Sequence, residues 1–209
     1  MNNNKVKTIA YIVGMLIIIQ ISRICIKQVI FTFIERTDYS DSITSMIAMI
    51  VLSILFILSA RKQKVSLSLF PKHFGKFYII ATCVTIVLLV SAPSNYSGGF
   101  EAITLLFYSS IVIPIFEEMI FRGYIWNKLN VVFEKEWVTY IISTVLFALW
   151  HMGYIDALAF RFGTGLAIVM FWKVITGLCF GVVLGAVRYK TKNSYSTILL
   201  HGVMNIFGR

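Results

Sequence analysis

Glu117 and Glu118 stand side by side in an otherwise apolar stretch, SSIVIPIFEEMIFRGYIW, which runs from Ser109 to Trp126. A carboxylate at the centre of a bilayer costs several kcal/mol, so an acid in such a stretch marks a functional site by default. Two acids with Arg122 within reach are harder still to explain as packing. Later apolar stretches carry three more polar groups: His151 in LFALWH, and His201 with Asn205 in LLHGVMN. A carboxylate and an imidazole are suited to moving a proton on and off a water. Asn and His side chains are suited to receiving an oxyanion, and one such donor supplies about 3–4 kcal/mol in a transition state. Taken singly, each has a plainer explanation: a lone His in an apolar helix is usually a hydrogen-bonded packing residue, and a salt-bridged pair in a transporter has the same local pattern. The conjunction of Glu, His, His and Asn points to a buried catalytic site.

Spacing divides the roles. Glu118 and Arg122 are four residues apart and share a helix face, whereas Glu117 projects about 100° away. Glu118–Arg122 therefore reads as a structural ion pair, and Glu117 is left to face His151 across the bundle. His201 and Asn205 are also four apart and share a face. Pro114 removes a backbone hydrogen bond just before the acids, which opens room for water. Phe147, one turn before His151, reads as core packing. Gly177, Gly181 and Gly185 form a face of small residues, a helix-packing signal that needs no chemistry.

These side chains need elements that hold them in lipid. The chain has 209 residues, of which 58% are hydrophobic and 13% charged; its mean hydropathy is +0.84. Soluble domains carry about 25% charged residues, so the composition specifies an integral membrane protein. Spanning helices need about 20 apolar residues, and spans fall at Thr8–Phe33, Ile43–Ala60, Phe77–Ala92, Ala102–Trp126, Val138–His151, Phe171–Val187 and Tyr195–Phe207. The expected fold is all-α: one domain over residues 1–209, a polytopic bundle of about seven transmembrane helices (six to eight), with the polar motifs in 113–207. Arg23 and Lys27 interrupt the first span, which suggests a span followed by an interfacial turn. The stretch Gly153–Met170 reads either as an outer interfacial segment or as the start of an extended sixth helix. Thr8–Ser22 lacks a small-residue cleavage site and reads as a retained span.

The net charge of +10 gathers at span ends: Lys5 and Lys7, then Arg61 to Lys76, then Arg188 to Lys192. The positive-inside rule accounts for this with a cytoplasmic N-terminus in a bacterial plasma membrane, and no separate basic domain calls for nucleic acid. Cys25, Cys83 and Cys179 lie in apolar runs, which argues against a disulfide framework. At about 1.5 Å per residue, Glu117, His151, His201 and Asn205 lie roughly 15, 21, 10 and 16 Å from the inner ends of their spans. All four thus fall in overlapping layers of a hydrocarbon core about 30 Å thick.

With those motifs in place, the chain resembles the CAAX prenyl protease and bacteriocin-processing family (CPBP, also called Abi) of intramembrane peptidases. Its motifs EExxxR, FxxxH and HxxxN stand here as EEMIFR (Glu117–Arg122), FALWH (Phe147–His151) and HGVMN (His201–Asn205), complete and in order. The resemblance covers roughly Ile113 to Phe207. It implies a glutamate-dependent, metal-independent endopeptidase acting on a peptide or membrane-anchored protein substrate in the lipid bilayer. By that resemblance Glu117 and His151 activate the attacking water, His201 and Asn205 bind the oxyanion, and Glu118 and Arg122 support them; no cofactor is implied. The chain ends at Arg209, soon after the last motif, so its last helix is expected to be less enclosed than in longer members.

Two other function classes remain open at this point. One Glu and two His could ligate zinc with an open position, although no HExxH helix is present. A bacteriocin self-immunity protein acting by binding without proteolysis would carry the same spans. A transporter would more often show repeated halves with broken helices, and none is evident.

Overall fold

In hydrocarbon, a segment satisfies its backbone polar groups internally, and helices are the open-chain solution. The computed structural model describes residues 3–91 and 97–207, and those residues form helices with no strand. We number seven: α1 Asn3–Phe31, α2 Asp38–Lys62, α3 Lys76–Ser91, α4 Gly99–Val132, α5 Glu136–Phe162, α6 Leu166–Thr191 and α7 Tyr195–Phe207. Five are long and apolar enough to cross a membrane, and α3 and α7 are shorter apolar helices. The all-α bundle of about seven helices matches the expectation. The expected end of the third span at Ala92, and Arg209, lie outside the described residues.

Two expectations need correction. First, α1 runs unbroken through Arg23 and Lys27, with no interfacial turn after the first span. Both cations are buried and turn sideways into the bundle: Arg23 donates from one nitrogen to the Gly153 carbonyl at 2.6 Å, and Lys27 pairs with Asp41 and Asp156, each at 2.9 Å. Second, α5 does not end at His151. It passes through one 3₁₀ turn, His151–Tyr154, and continues as Ile155–Phe162. The undecided stretch 153–170 is therefore divided. Its first part extends α5, its last part begins α6, and Gly163 and Gly165 between them adopt the positive φ values of +48° and +89° that glycine tolerates without a Cβ penalty.

α4 positions the acids, and it is not uniform. Two π-helical turns, Tyr108–Val112 and Met119–Ile125, flank the α-helical segment Ile113–Glu118. The first turn has a readable cause. The Ile113 N–H bonds the Tyr108 carbonyl, one residue further back than in an α-helix. In that register the Ser109 carbonyl would look to residue 114, which is proline and has no N–H. The side-chain amide of Asn205 donates to that carbonyl at 2.7 Å. Gly202, one turn earlier on α7, admits the neighbouring Ser110 carbonyl; a Cβ there would stand 2.6 Å from that oxygen.

The two ends of the bundle are tied separately. At one end Asn127 donates to the Ser66 carbonyl, Tyr124 to Gln63, the Ser194 N–H to the Ser68 carbonyl, and Lys192 pairs with Glu136. At the other end Arg36 pairs with Asp41 at 2.8 Å and Asp156 at 2.9 Å.

Candidate active site

Glu117 and Glu118 are 1% and 0% exposed, so each must find partners inside the protein. Their consecutive positions turn them toward different neighbours. Glu118 Oε1 accepts from Arg122 Nη1 at 3.0 Å and lies 3.0 Å from His201 Nδ1 on α7. Arg122 stacks over the Phe147 ring, 4.1 Å to its centroid, and its other terminal nitrogen donates to the Gly181 carbonyl at 3.4 Å. One carboxylate thus fastens α4 to α7, and its arginine reaches α6. The geometry agrees with the ion pair read from the spacing, and adds His201 as a third member.

Glu117 faces the other way. Its Oε1 accepts from Trp150 Nε1 at 3.0 Å and from the Tyr154 hydroxyl at 2.5 Å, both on α5. Its Oε2 lies 4.0 Å from His201 Nε2. One carboxylate oxygen is therefore held by two neutral donors, while the other turns toward an imidazole.

His151 completes the cluster from α5. Its Nδ1 lies 2.8 Å from the Phe147 carbonyl. A carbonyl only accepts, so Nδ1 carries the proton and Nε2 is the nitrogen with a lone pair. The ring packs edge-on to Phe147, 4.9 Å between centroids, and 5.8 Å from the ring of Tyr154, whose hydroxyl holds Glu117. Phe147 also lies 6.1 Å from the His201 ring, so this phenylalanine neighbours both imidazoles and fixes one through its carbonyl. Gly177 on α6 makes the space: a Cβ there would stand 2.5 Å from His151 Nδ1. The glycine face is packing, and at this position the object packed is the candidate catalytic ring.

The structure thus gathers Glu117, Glu118, Arg122, His151 and His201 from α4, α5 and α7. Asn205 shares a helix face with His201, but its side-chain nitrogen is engaged by the Ser109 carbonyl. Sequence reasoning missed Trp150 and Tyr154. Their signal was an indole or phenol beside and one turn beyond His151, aromatics with a polar tip that resemble interfacial anchors. It also missed Arg188, which is 3% exposed and donates from Nε to the Arg122 carbonyl at 2.8 Å and from Nη2 to Asn127 at 3.0 Å. That arginine satisfies backbone freed in the second π turn. Among the described residues, no group of three or more His, Cys, Asp or Glu is arranged to hold a metal ion.

Comparison with known proteins agrees with the motif reading. The family described as type II CAAX prenyl endopeptidase Rce1-like matches residues 99–207, just over half of the chain. The UPF0177 protein YxdF of Lactococcus lactis subsp. lactis (strain IL1403) is 23% identical over 137 residues. That alignment covers 63% of this chain and 66% of the relative, just under two thirds of its length. No solved structure matches.

Proposed function

The chain belongs to the Rce1-like family of type II CAAX prenyl endopeptidases, and on that premise we propose that it is a metal-independent, glutamate-dependent intramembrane endopeptidase. It is an integral membrane protein, and we assign it to a bacterial plasma membrane with a cytoplasmic N-terminus. Its substrate is a membrane-associated peptide or the membrane-anchored segment of a protein. The observation that carries this reading is the placement of one carboxylate oxygen of Glu117 near the imidazole of His201 while two neutral donors hold the other.

The chemistry follows from which lone pairs are uncommitted. Glu117 Oε2 and His151 Nε2 hold one water. As its oxygen attacks the carbonyl carbon of the scissile peptide bond, a proton passes to this pair and later to the departing amine nitrogen. The oxygen of the attacked carbonyl becomes an oxyanion. His201 Nε2 can meet it only if it bears a proton. Ionised Glu118 accepts and cannot donate, so His201 Nδ1 is protonated already, and an N–H at Nε2 makes the ring an imidazolium. Asn205 retains one amide hydrogen beyond the one given to Ser109 and joins His201 from the same helix face. Trp150 and Tyr154 orient Glu117 so that its Oε2 points at the water.

The test compares the membrane peptides of cells carrying the wild type, Glu117→Gln or Glu118→Gln. One substrate should accumulate uncut in the Glu117→Gln cells. If Glu117→Gln leaves that peptide profile unchanged while the protein is made at wild-type level, Glu117 is not the base. A chelator applied to the purified enzyme should leave cleavage unchanged; inhibition reversed by zinc would overturn metal independence.

A further inference from the structure

α1 lies outside the family match, yet it sends a charged group to the edge of the site. Arg23 is 4% exposed. Its Nη2 donates to the Gly153 carbonyl at 2.6 Å, and its guanidinium lies over the Tyr154 ring, 4.2 Å from the centroid. That ring carries the hydroxyl bonded to Glu117, so a single aromatic side chain separates Arg23 from the candidate base. Arg23 Nε and Nη1 are buried without a hydrogen-bond partner.

The neighbouring cations show how unusual this is. Lys27, one turn further along α1, sits between Asp41 and Asp156 at 2.9 Å each. Arg36 contacts the same two aspartates, and Arg161 approaches Asp38 and Asp41 at 3.6 Å. Three cations face three carboxylates there. Among the described residues, Arg23 alone of this group has no carboxylate within ion-pair distance. A buried guanidinium bonded only to a carbonyl and a π face is a poorly compensated charge, and burying a charge is costly until it is paired. Arginine is also the side chain best matched to a carboxylate, by its planar set of donors.

Resting on the endopeptidase reading above, we propose that Arg23 is a carboxylate-binding subsite for the peptide substrate. The guanidinium over the ring face and the hydroxyl at the ring edge put it on the order of 7 Å from the Glu117 carboxylate, the length of about two extended residues. A substrate whose scissile carbonyl sits at Glu117 would reach Arg23 with a carboxylate about that far along its chain. The carboxylate is either the free C-terminus of the peptide or an acidic side chain near it, and Arg23 Nε and Nη1 are its donors.

The experiment measures binding to the purified full chain in detergent by calorimetry at neutral pH. The probes are acetyl-trileucine with a free C-terminus, its C-terminal amide, and acetyl-dileucyl-glutamic acid α-amide, whose one carboxylate is on the side chain. The free acid should bind the wild type at least tenfold more tightly than the amide. That preference should vanish in Arg23→Gln and persist in part in Arg23→Lys, with Arg23→Gln shown folded by its melting transition. If the third probe binds like the free acid, the subsite takes side-chain carboxylates; if it binds like the amide, it takes the chain terminus. Equal binding of acid and amide to the wild type overturns the proposal, as does a preference that survives Arg23→Gln, or no binding of any probe up to millimolar concentration. Binding is read without turnover, so an unaffected peptide profile in Glu117→Gln cells would remove the catalytic reading and leave the carboxylate preference standing.

Discussion

The molecule holds two clusters of charge, one partly exposed and one buried, and they are built on opposite principles. Where α1 ends and α2 begins, beside the last turns of α5, Lys27, Arg36 and Arg161 meet Asp38, Asp41 and Asp156 by direct ion pairs. At the site, Glu118 is tied to Arg122 and His201, whereas Glu117 Oε2 faces the His201 imidazole at 4.0 Å. The outer cluster is closed. It holds three helices together and leaves no charge for a substrate. The inner cluster keeps one carboxylate edge and one histidine nitrogen uncommitted, which costs stability and makes room for a reaction. Incomplete pairing in the interior separates a site from a clamp.

The sharpest way to break this comparison lies within the inner cluster. Glu117→Gln should lower turnover by about 10²–10⁴-fold, the range for losing a general base. Its melting transition should barely move, because the amide oxygen can still accept from Trp150 and Tyr154. Glu118→Gln should behave differently. It leaves the Arg122 guanidinium buried without its counter-ion and loosens His201, so unfolding in detergent should come about 3–5 kcal/mol more easily, with activity lost as well. Equal stability of the two variants would mean that the adjacent acids are not divided between chemistry and structure.

Asp41→Asn probes the closed cluster. Asp41 is 1% exposed and contacts Lys27, Arg36 and Arg161, so its loss should lower stability by about 3 kcal/mol. Turnover per folded molecule should stay at the wild-type value. A stable but inactive Asp41→Asn protein would show that the outer cluster serves the reaction after all.

Gly177→Ala tests the boundary between packing and chemistry. The added methyl would meet His151 Nδ1 at 2.5 Å, which requires a shift of α6 or of the ring. Overpacking of this kind costs about 1–3 kcal/mol. If the ring moves, turnover should fall tenfold or more with a modest change in melting; loss of stability alone would mean that α6 yields and His151 stays.

How far the sequence reveals this arrangement depends on how local each cause is. The helices were legible because hydrocarbon allows an open chain few alternatives, and the Glu118–Arg122 contact follows from a spacing of four. Arg23 and Lys27 read as a break in the first span because their partners, Gly153, Asp41 and Asp156, are distant in sequence. Residues 153–170 were ambiguous for a similar reason: two positive-φ glycines place the reversal, and hydropathy does not register φ. The π turns were hinted at only by Pro114. The bond from Asn205 to the Ser109 carbonyl depends on a register that no pattern of residue types displays. Trp150 and Tyr154 were hidden by composition, since aromatic residues are common in membrane spans and at interfaces.

Tyr154→Phe is the mildest of these changes, and it isolates the link between the two halves of the comparison. Tyr154 touches the open side of the site through its hydroxyl on Glu117, and the α1 side through the guanidinium on its ring. Phenylalanine keeps the ring and therefore the contact with Arg23, but removes the donor. A hydrogen bond to a charged group contributes about 1.5–3 kcal/mol, and about 1.4 kcal/mol is tenfold in rate. Trp150 still holds the same oxygen, so the lower end applies and kcat/KM should fall about tenfold, with melting nearly unchanged. A fall confined to KM would assign the hydroxyl to substrate binding; a fall in kcat would assign it to the orientation of Glu117. No change in either would mean that Trp150 alone suffices, and that the α1 side of the molecule reaches the carboxylate by contact with the ring and not through its hydroxyl.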